Sequence, residues 1–175
     1  MKETLEDILT RRSVRRYRPD PVPEELLDRI IEAGLYAASG KNRQSSVILA
    51  VTDRELIARM SEDNRRIWGK PEGVDPFYGA PAVLVVLDRK DWRNAVCDGT
   101  LVLGNMMLAA HALGLGSCWI NRARETFELE GYARLLKDLG LKGEYIGIGN
   151  CIVGYPDGEI PEALPRKEGR VFRIR

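Results

Sequence analysis

The sequence predicts one layered domain in which strands alternate with helices, an α/β or α+β arrangement. Three observations lead there. The chain has 175 residues, 44% hydrophobic and 30% charged, so it can bury a core and is too apolar to stay disordered. Short apolar runs rich in β-branched residues recur at 47–51, 82–87, 117–120 and 145–153, with segments of helical period between them. The stretch 161–175 is rich in proline and basic residues and too poor in apolar ones to pack alone, so the chain ends are expected to lean on a partner.

The elements follow in order. Thr4-Leu5-Glu6-Asp7 resembles a capping box, and Leu5, Ile8 and Leu9 share one helical face, which predicts a short helix ending near Arg12. Pro19 and Pro21 interrupt the chain. Pro23 then opens a helix to about Ala38, with Leu26, Leu27, Ile30, Ile31 and Leu35 on its buried side and Ser39-Gly40 as its stop. A buried strand at 47–51 leads to a helix at 54–60, while 64–78 carries no clear pattern. A second strand at 82–87, a long central helix at 92–113 and a third strand at 117–120 come next, then a helix at 127–139 and a fourth strand at 145–153. Residues 154–158 read as a turn, and the tail leaves room for an edge strand at 171–174.

Composition excludes several function classes. Lys plus Arg number 27 against 26 Asp plus Glu, a net +1 that generates no field for nucleic acid or an anionic membrane. The stretch 99–121 contains no Asp, Glu, Lys or Arg and is long enough to cross a bilayer. Gly104, Asn105, His111, Gly114 and Gly116 interrupt it, however, and Leu113-Gly114-Leu115-Gly116 reads as a helix stop before a strand. It is therefore expected to be a core or dimer helix, not a membrane span. Cys97, Cys118 and Cys151 form no CxxC and no metal-ligand spacing, so no metal site is expected. Their odd number, their apolar neighbours and the acidic start without an apolar signal core point to the cytoplasm. His111 is the sole histidine, and its apolar surroundings mark it as a core or interface residue instead of a catalyst.

The densest chemical signal is Arg11-Arg12-Ser13-Val14-Arg15-Arg16-Tyr17-Arg18, five arginines in eight residues of a nearly neutral protein. Planar guanidinium forks and a serine hydroxyl suit a phosphate dianion; a solvated helix end, an RNA patch and a localisation-type run are the alternatives. Ser39-Gly40-Lys41-Asn42-Arg43-Gln44-Ser45-Ser46 is rich in donors, and it fits either a cofactor's polar edge or an ordinary helix-to-strand connection. Pro165-Arg166-Lys167 is a third, smaller basic cluster. Gly147-Ile148-Gly149 lies within a strand pattern with no helix after it, which removes the dinucleotide-binding reading of GxG. Asp98, ahead of the uncharged stretch, and Asp157 have no paired carboxylate or histidine and receive no catalytic role.

Taken in chain order, Arg11-Arg12-Ser13-Val14-Arg15, Ser39-Gly40-Lys41-Asn42-Arg43-Gln44, Ala80-Pro81-Ala82-Val83-Leu84-Val85-Val86, Asp98-Gly99, the block from Asn105 to Ile120, and Val153-Gly154-Tyr155-Pro156 resemble the FMN-dependent nitroreductase family. The exit of the long helix, Gly114-Leu115-Gly116-Ser117-Cys118-Trp119-Ile120, is the most specific of these blocks. The resemblance implies an α+β fold, a three-layer α-β-α sandwich with a central mixed, mainly antiparallel sheet, in one domain over 1–175 with a C-terminal extension over about 156–175. It implies a homodimer with FMN at the subunit interface, NADH or NADPH as reductant, and a small electron-poor acceptor such as a nitroaromatic or a quinone. Other flavin chemistry on the same fold, such as dehalogenation or flavin breakdown, and a non-catalytic flavin-binding module are the rival readings.

By the same resemblance Arg11, Arg12 and Ser13 hold the FMN phosphate and ribityl chain, with Arg166 or Lys167 completing the phosphate site. Arg15 lies at the pyrimidine edge and gives electrostatic support to the reduced flavin. Ser39, Gly40 and Asn42 come from the second subunit, and Ile120 and Asn121 face flavin N5. No side chain is expected to act as nucleophile or general base. Two departures from the family pattern stand out: Ser45-Ser46 where many relatives have Pro-Trp, and Asn121 where an acidic residue is common. The segment 64–78 is short compared with larger relatives of the family, so their substrate-selecting lid does not carry over to it.

Overall fold

The computed structural model describes residues 3–175 and builds them around a four-stranded sheet in the order β1-β2-β4-β3. The strands are β1 (Val47–Val51), β2 (Ala82–Arg89), β3 (Gly116–Ile120) and β4 (Tyr145–Gly154), and every neighbouring pair is antiparallel. The parallel component is one isolated bridge, Ser13 to Ser117, which lays the arginine-rich segment along the outer edge of β3.

Helices cover both faces. α2 (Glu24–Leu35) and α4 (Ala95–Ala112) pack on one, where Leu27, Ile30, Leu103 and Met106 meet Leu84, Val86 and Val153. α3 (Arg54–Trp68), α5 (Ala123–Phe127) and α6 (Glu130–Asp138) cover the other, where Ile57, Met60, Phe127 and Tyr132 meet Val83, Val85 and Ile152. Side chains alternate across a pleated strand, so the continuous apolar run of β2 feeds two cores at once, and Ala82 to Leu87 are all 0% exposed. α1 (Glu3–Thr10) lies apart from both cores with no buried residue; Thr4, expected as its cap, stands inside it.

Several boundaries differ from the sequence reading. α1 and α2 stop earlier, at Thr10 and Leu35. α3 runs on to Trp68, because the Asp53 carboxylate caps its start through Leu56 N–H at 2.7 Å and Gly69, at φ 70°, closes its end. Glu62, bonded to Arg65 and Arg66 and held by them at a pKa of about 2, supports the polar last turns. The helix expected at 127–139 is present as α6, starting at Glu130 after the extended residue Leu129; the short α5 ahead of it was not expected, and the break between them brings the Phe127 and Tyr132 rings to 5.1 Å. No strand forms at 171–174: Phe172 and Ile174 are 86% and 100% exposed.

α4 ends at Ala112, and the turn at Gly114, φ 75°, leads into β3, as the Leu-Gly-Leu-Gly pattern predicts. This uncharged helix is long and apolar enough to cross a membrane, yet Val102, Leu103, Met106 and Ala110 are buried on the sheet. Gly147 and Gly149 lie within β4, where a Cβ on the first would strike the α5 backbone and one on the second would strike Trp119 and Leu103. Close packing, not phosphate binding, explains the GxG.

Cys118 and Cys151 are buried, and burial pushes the Cys151 thiol up to about 12, so it carries no thiolate near neutral pH. Titrating the native protein with an aromatic disulfide reagent at pH 8 should therefore modify at most the exposed Cys97, and all three thiols after denaturation.

Candidate cofactor site

Arg11, Arg12 and Ser13 follow α1 directly and run beside β3, fixed by Val14 N–H donating to Ser117 O at 3.0 Å. The contact is close because a Cβ on Gly116 would overlap the Val14 side chain. Arg12 Nη1 donates to the carbonyls of Leu9 and Arg11 at 2.8 and 2.7 Å, which folds the arginine back over the helix end. Arg11 Nη1 and Arg12 Nε remain buried without any acceptor. Buried cationic donors left unpaired are costly, so this position is complementary to an anion. Arg15 is exposed at a cleft of about 290 Å³ that also touches Ser13, Pro156 and Asp157. The neighbouring Arg16 is spoken for: its Nε reaches Asp157 Oδ2 at 2.7 Å.

Ile120 and Asn121 stand at the far end of the same edge strand, with Ser117 and Ile120 separated by about 10 Å of extended chain. The backbone there is held from behind. Asn64 Nδ2 donates to Asn121 O at 2.8 Å, and the buried Asn150 donates to Ile120 O and Asn121 O at 3.2 and 3.4 Å. Sequence reasoning missed both asparagines. A signal for Asn150 existed, since it is the one polar side chain within the run Ile148 to Val153.

Ser39, Gly40 and Asn42 lie in a tight loop with three residues in the left-handed region, Lys41, Asn42 and Gln44 at φ 58°, 52° and 50°. Hydrogen bonds offset that strain: Gln44 N–H donates to Ser39 Oγ at 3.0 Å and Gln44 Nε2 to Asn42 Oδ1 at 2.8 Å. Asp98 anchors the whole loop. Buried in the first turn of α4, its carboxylate accepts from Gly40 N–H at 3.0 Å and from Trp92 Nε1 at 2.7 Å, while Arg43 stacks on the Trp92 ring at 4.7 Å. Asp98 is thus a positioning residue that the sequence reading left without a role.

The predicted residues form two groups in one chain. Arg11, Arg12, Ser13, Arg15, Ile120 and Asn121 share the β3 edge, close to the C-terminal end of α4, where His111 Nε2 and Thr10 Oγ1 are 2.9 Å apart. Ser39, Gly40 and Asn42 sit at the other end of that helix, which rises about 20 Å between Asp98 and His111. Arg166 and Lys167 join neither group: both are exposed, and Arg166 donates to Leu164 O. FMN fits the first group on its chemistry, since its phosphate supplies the acceptors that Arg11 Nη1 and Arg12 Nε lack.

Replacing Asp98 with Ala leaves two donors without an acceptor. It should lower stability by about 1–3 kcal/mol in urea unfolding and expose Lys41 and Arg43 to trypsin, with Asp98→Asn milder on both counts.

Comparison with known proteins agrees with this geometry. Residues 8–159 match the Nitroreductase family model. An NADPH-flavin oxidoreductase of Vibrio harveyi is 30% identical over 183 residues, spanning 98% of this chain and 72% of the relative. An FMN reductase [NAD(P)H] of Bacillus subtilis (strain 168) is 27% identical over 171 residues, 89% of this chain and 67% of the relative. The crystal structure of a nitroreductase with bound FMN from Bacteroides fragilis NCTC 9343 superposes with a TM-score of 0.88 at 30% identity, covering 100% of both chains. With the family model matched across both halves of the site and the whole sheet, the chain belongs to the nitroreductase family.

Proposed function

We propose that the protein is an FMN-dependent NAD(P)H oxidoreductase that acts as a homodimer in the cytoplasm and reduces an electron-poor small molecule such as a nitroaromatic or a quinone. The observation that carries this reading is the pair of buried, unpaired guanidinium donors of Arg11 and Arg12 beside β3, in a chain of the nitroreductase family. FMN, when bound, supplies the redox chemistry by accepting hydride from the nicotinamide and delivering two electrons to the acceptor.

The chain's own residues bind and orient. Arg11 and Arg12 direct their free donors to the phosphate, with Ser13 toward the ribityl chain and Arg166 or Lys167 of the tail closing over the phosphate. Arg15 keeps a permanent cation beside the pyrimidine edge, where two-electron reduction places negative charge. Asn64 and Asn150 hold the Asn121 peptide rigid, so the backbone at Ile120 and Asn121 presents a fixed edge to the ring. Ser39, Gly40 and Asn42 of the partner subunit complete the pocket. Protons come from water, which is consistent with a site that has no histidine and no paired carboxylates.

Two features support the dimer. The two groups of site residues stand at opposite ends of α4. Large apolar side chains are also exposed on α1 (Leu5, Ile8, Leu9), on α4 (Val96, Leu101) and along the tail (Leu164, Val171, Phe172). So much uncovered apolar surface is characteristic of a subunit separated from its partner. The free cysteines suit a reducing compartment.

The visible spectrum of the FMN-loaded protein, taken anaerobically, should bleach on addition of NADH or NADPH; a bound flavin that resists both refutes the activity. Arg11→Ala should weaken FMN retention by about tenfold or more while retained flavin is still reduced, whereas Arg15→Ala should slow reduction and leave retention nearly intact. Equal effects of the two on both readouts would refute the division. Light scattering should give twice the chain mass of 19.7 kDa, and a stable FMN-bound monomer would refute the two-chain site.

A further inference from the structure

Arg122 immediately follows Asn121 and caps α5 in the left-handed region at φ 73°, a conformation unusual for a residue with a side chain. Its Nε donates to Asn64 Oδ1 at 2.9 Å, the same asparagine whose amide holds Asn121 O. Its guanidinium lies 4.5 Å from the centre of the Trp68 ring, and Lys70 Nζ lies 4.8 Å from that centre. One indole therefore gathers two cations. Among the described residues neither cation forms a salt bridge, and both Nη groups of Arg122 lack an acceptor. Partial burial depresses the Arg122 pKa, against the opposing influence of Glu125 and Tyr78, so the charge is held where water solvates it poorly.

Two cations brought together with no carboxylate in salt-bridge contact cost free energy, which the π-face of Trp68 and the more distant Glu125 offset only in part. The Nε bond to Asn64 turns the guanidinium so that the two Nη groups form the free side of the fork, the geometry that accepts an oxyanion in two parallel hydrogen bonds. We propose that Arg122, Trp68 and Lys70 form an oxyanion-recognising site beside the Asn121 edge, which selects substrates carrying a carboxylate or phosphate over neutral ones of the same shape. The site rests on the functional reading above for its purpose but not for its existence, because binding of an anion can be measured without turnover.

Two sources of oxyanion meet this chemistry: a carboxylated aromatic acceptor and the phosphate of the nicotinamide nucleotide. Calorimetric titration of the full-length protein, with and without FMN, separates them. One arm compares 4-nitrobenzoate with 4-nitrobenzamide and the other compares nicotinamide mononucleotide with nicotinamide riboside. The ligand carrying the oxyanion should bind about tenfold more tightly than its counterpart lacking it in at least one arm, the responding arm identifying the source. That preference should vanish in Arg122→Gln, shrink in Lys70→Gln and weaken with added salt. Lys70 is exposed, so its variant keeps the test readable should Arg122→Gln unfold. No preference in either arm, or a preference that survives both variants, overturns the proposal. If FMN fails to bind while the preference persists, the flavin reading has failed and the anion site stands.

Discussion

The placement of α4 on the sheet is the constraint on which the rest depends. The helix and β4 interlock at two points where one side lacks a side chain: Ile148 of β4 faces Gly99 of α4, and Leu103 of α4 faces Gly149 of β4. A Cβ on Gly99 would come 2.7 Å from Ile148 and one on Gly149 would come 2.8 Å from Leu103, so neither glycine leaves room for a side chain between helix and sheet. That closeness matters at both helix ends. It sets Asp98 deep enough to reach Gly40 N–H and Trp92 Nε1, and it sets His111 against Thr10, just before the arginine segment. One rigid helix thereby fixes the position of both groups of site residues.

The second organising feature is the uneven distribution of charge. A net of +1 conceals local imbalance. Arg16 finds Asp157 and Arg66 finds Glu62, and exposed pairs of this kind contribute little to stability. Arg11, Arg12 and Arg122 form no salt bridge among the described residues, yet they are partly buried and built into backbone turns or aromatic stacks. Stability alone would favour pairing them or exposing them. Their present arrangement makes sense where a ligand supplies the negative charge, the usual compromise between stability and function at a binding site.

Much of this was legible in the sequence because it follows from short-range pattern. The β2 run Ala82 to Leu87 reads as a buried strand, and Gly114 reads as a helix stop, with no knowledge of what packs around them. What stayed hidden depends on contacts distant in sequence. Nothing local to Asp98 shows that its acceptors serve Gly40, and nothing local to Asn64 shows that it clamps Asn121. The short α5 and the later start of α6 were hidden because the apolar spacing from Phe127 onward suits one helix, and the break answers to the core that Phe127 and Tyr132 must fill together. The tail from 159 onward is exposed and forms no regular element, so an edge strand at 171–174 would need a strand from elsewhere to pair with.

A site whose proposed reaction uses no side-chain acid or base must draw its selectivity from shape and fixed charge. Shape is supplied by the backbone at Asn121, which the side-chain amides of Asn64 and Asn150 hold from behind. Fixed charge is supplied by arginines, whose protonation does not change over the working pH range. The two meet at Asn64, whose amide group uses one end on the Asn121 carbonyl and the other on Arg122 Nε. Because one side chain sets both the peptide edge and the guanidinium, moving either would disturb the other. On the reading proposed above, coupling of this kind would let the site discriminate between substrates that differ only in charge, without any residue taking part in the bond-making itself.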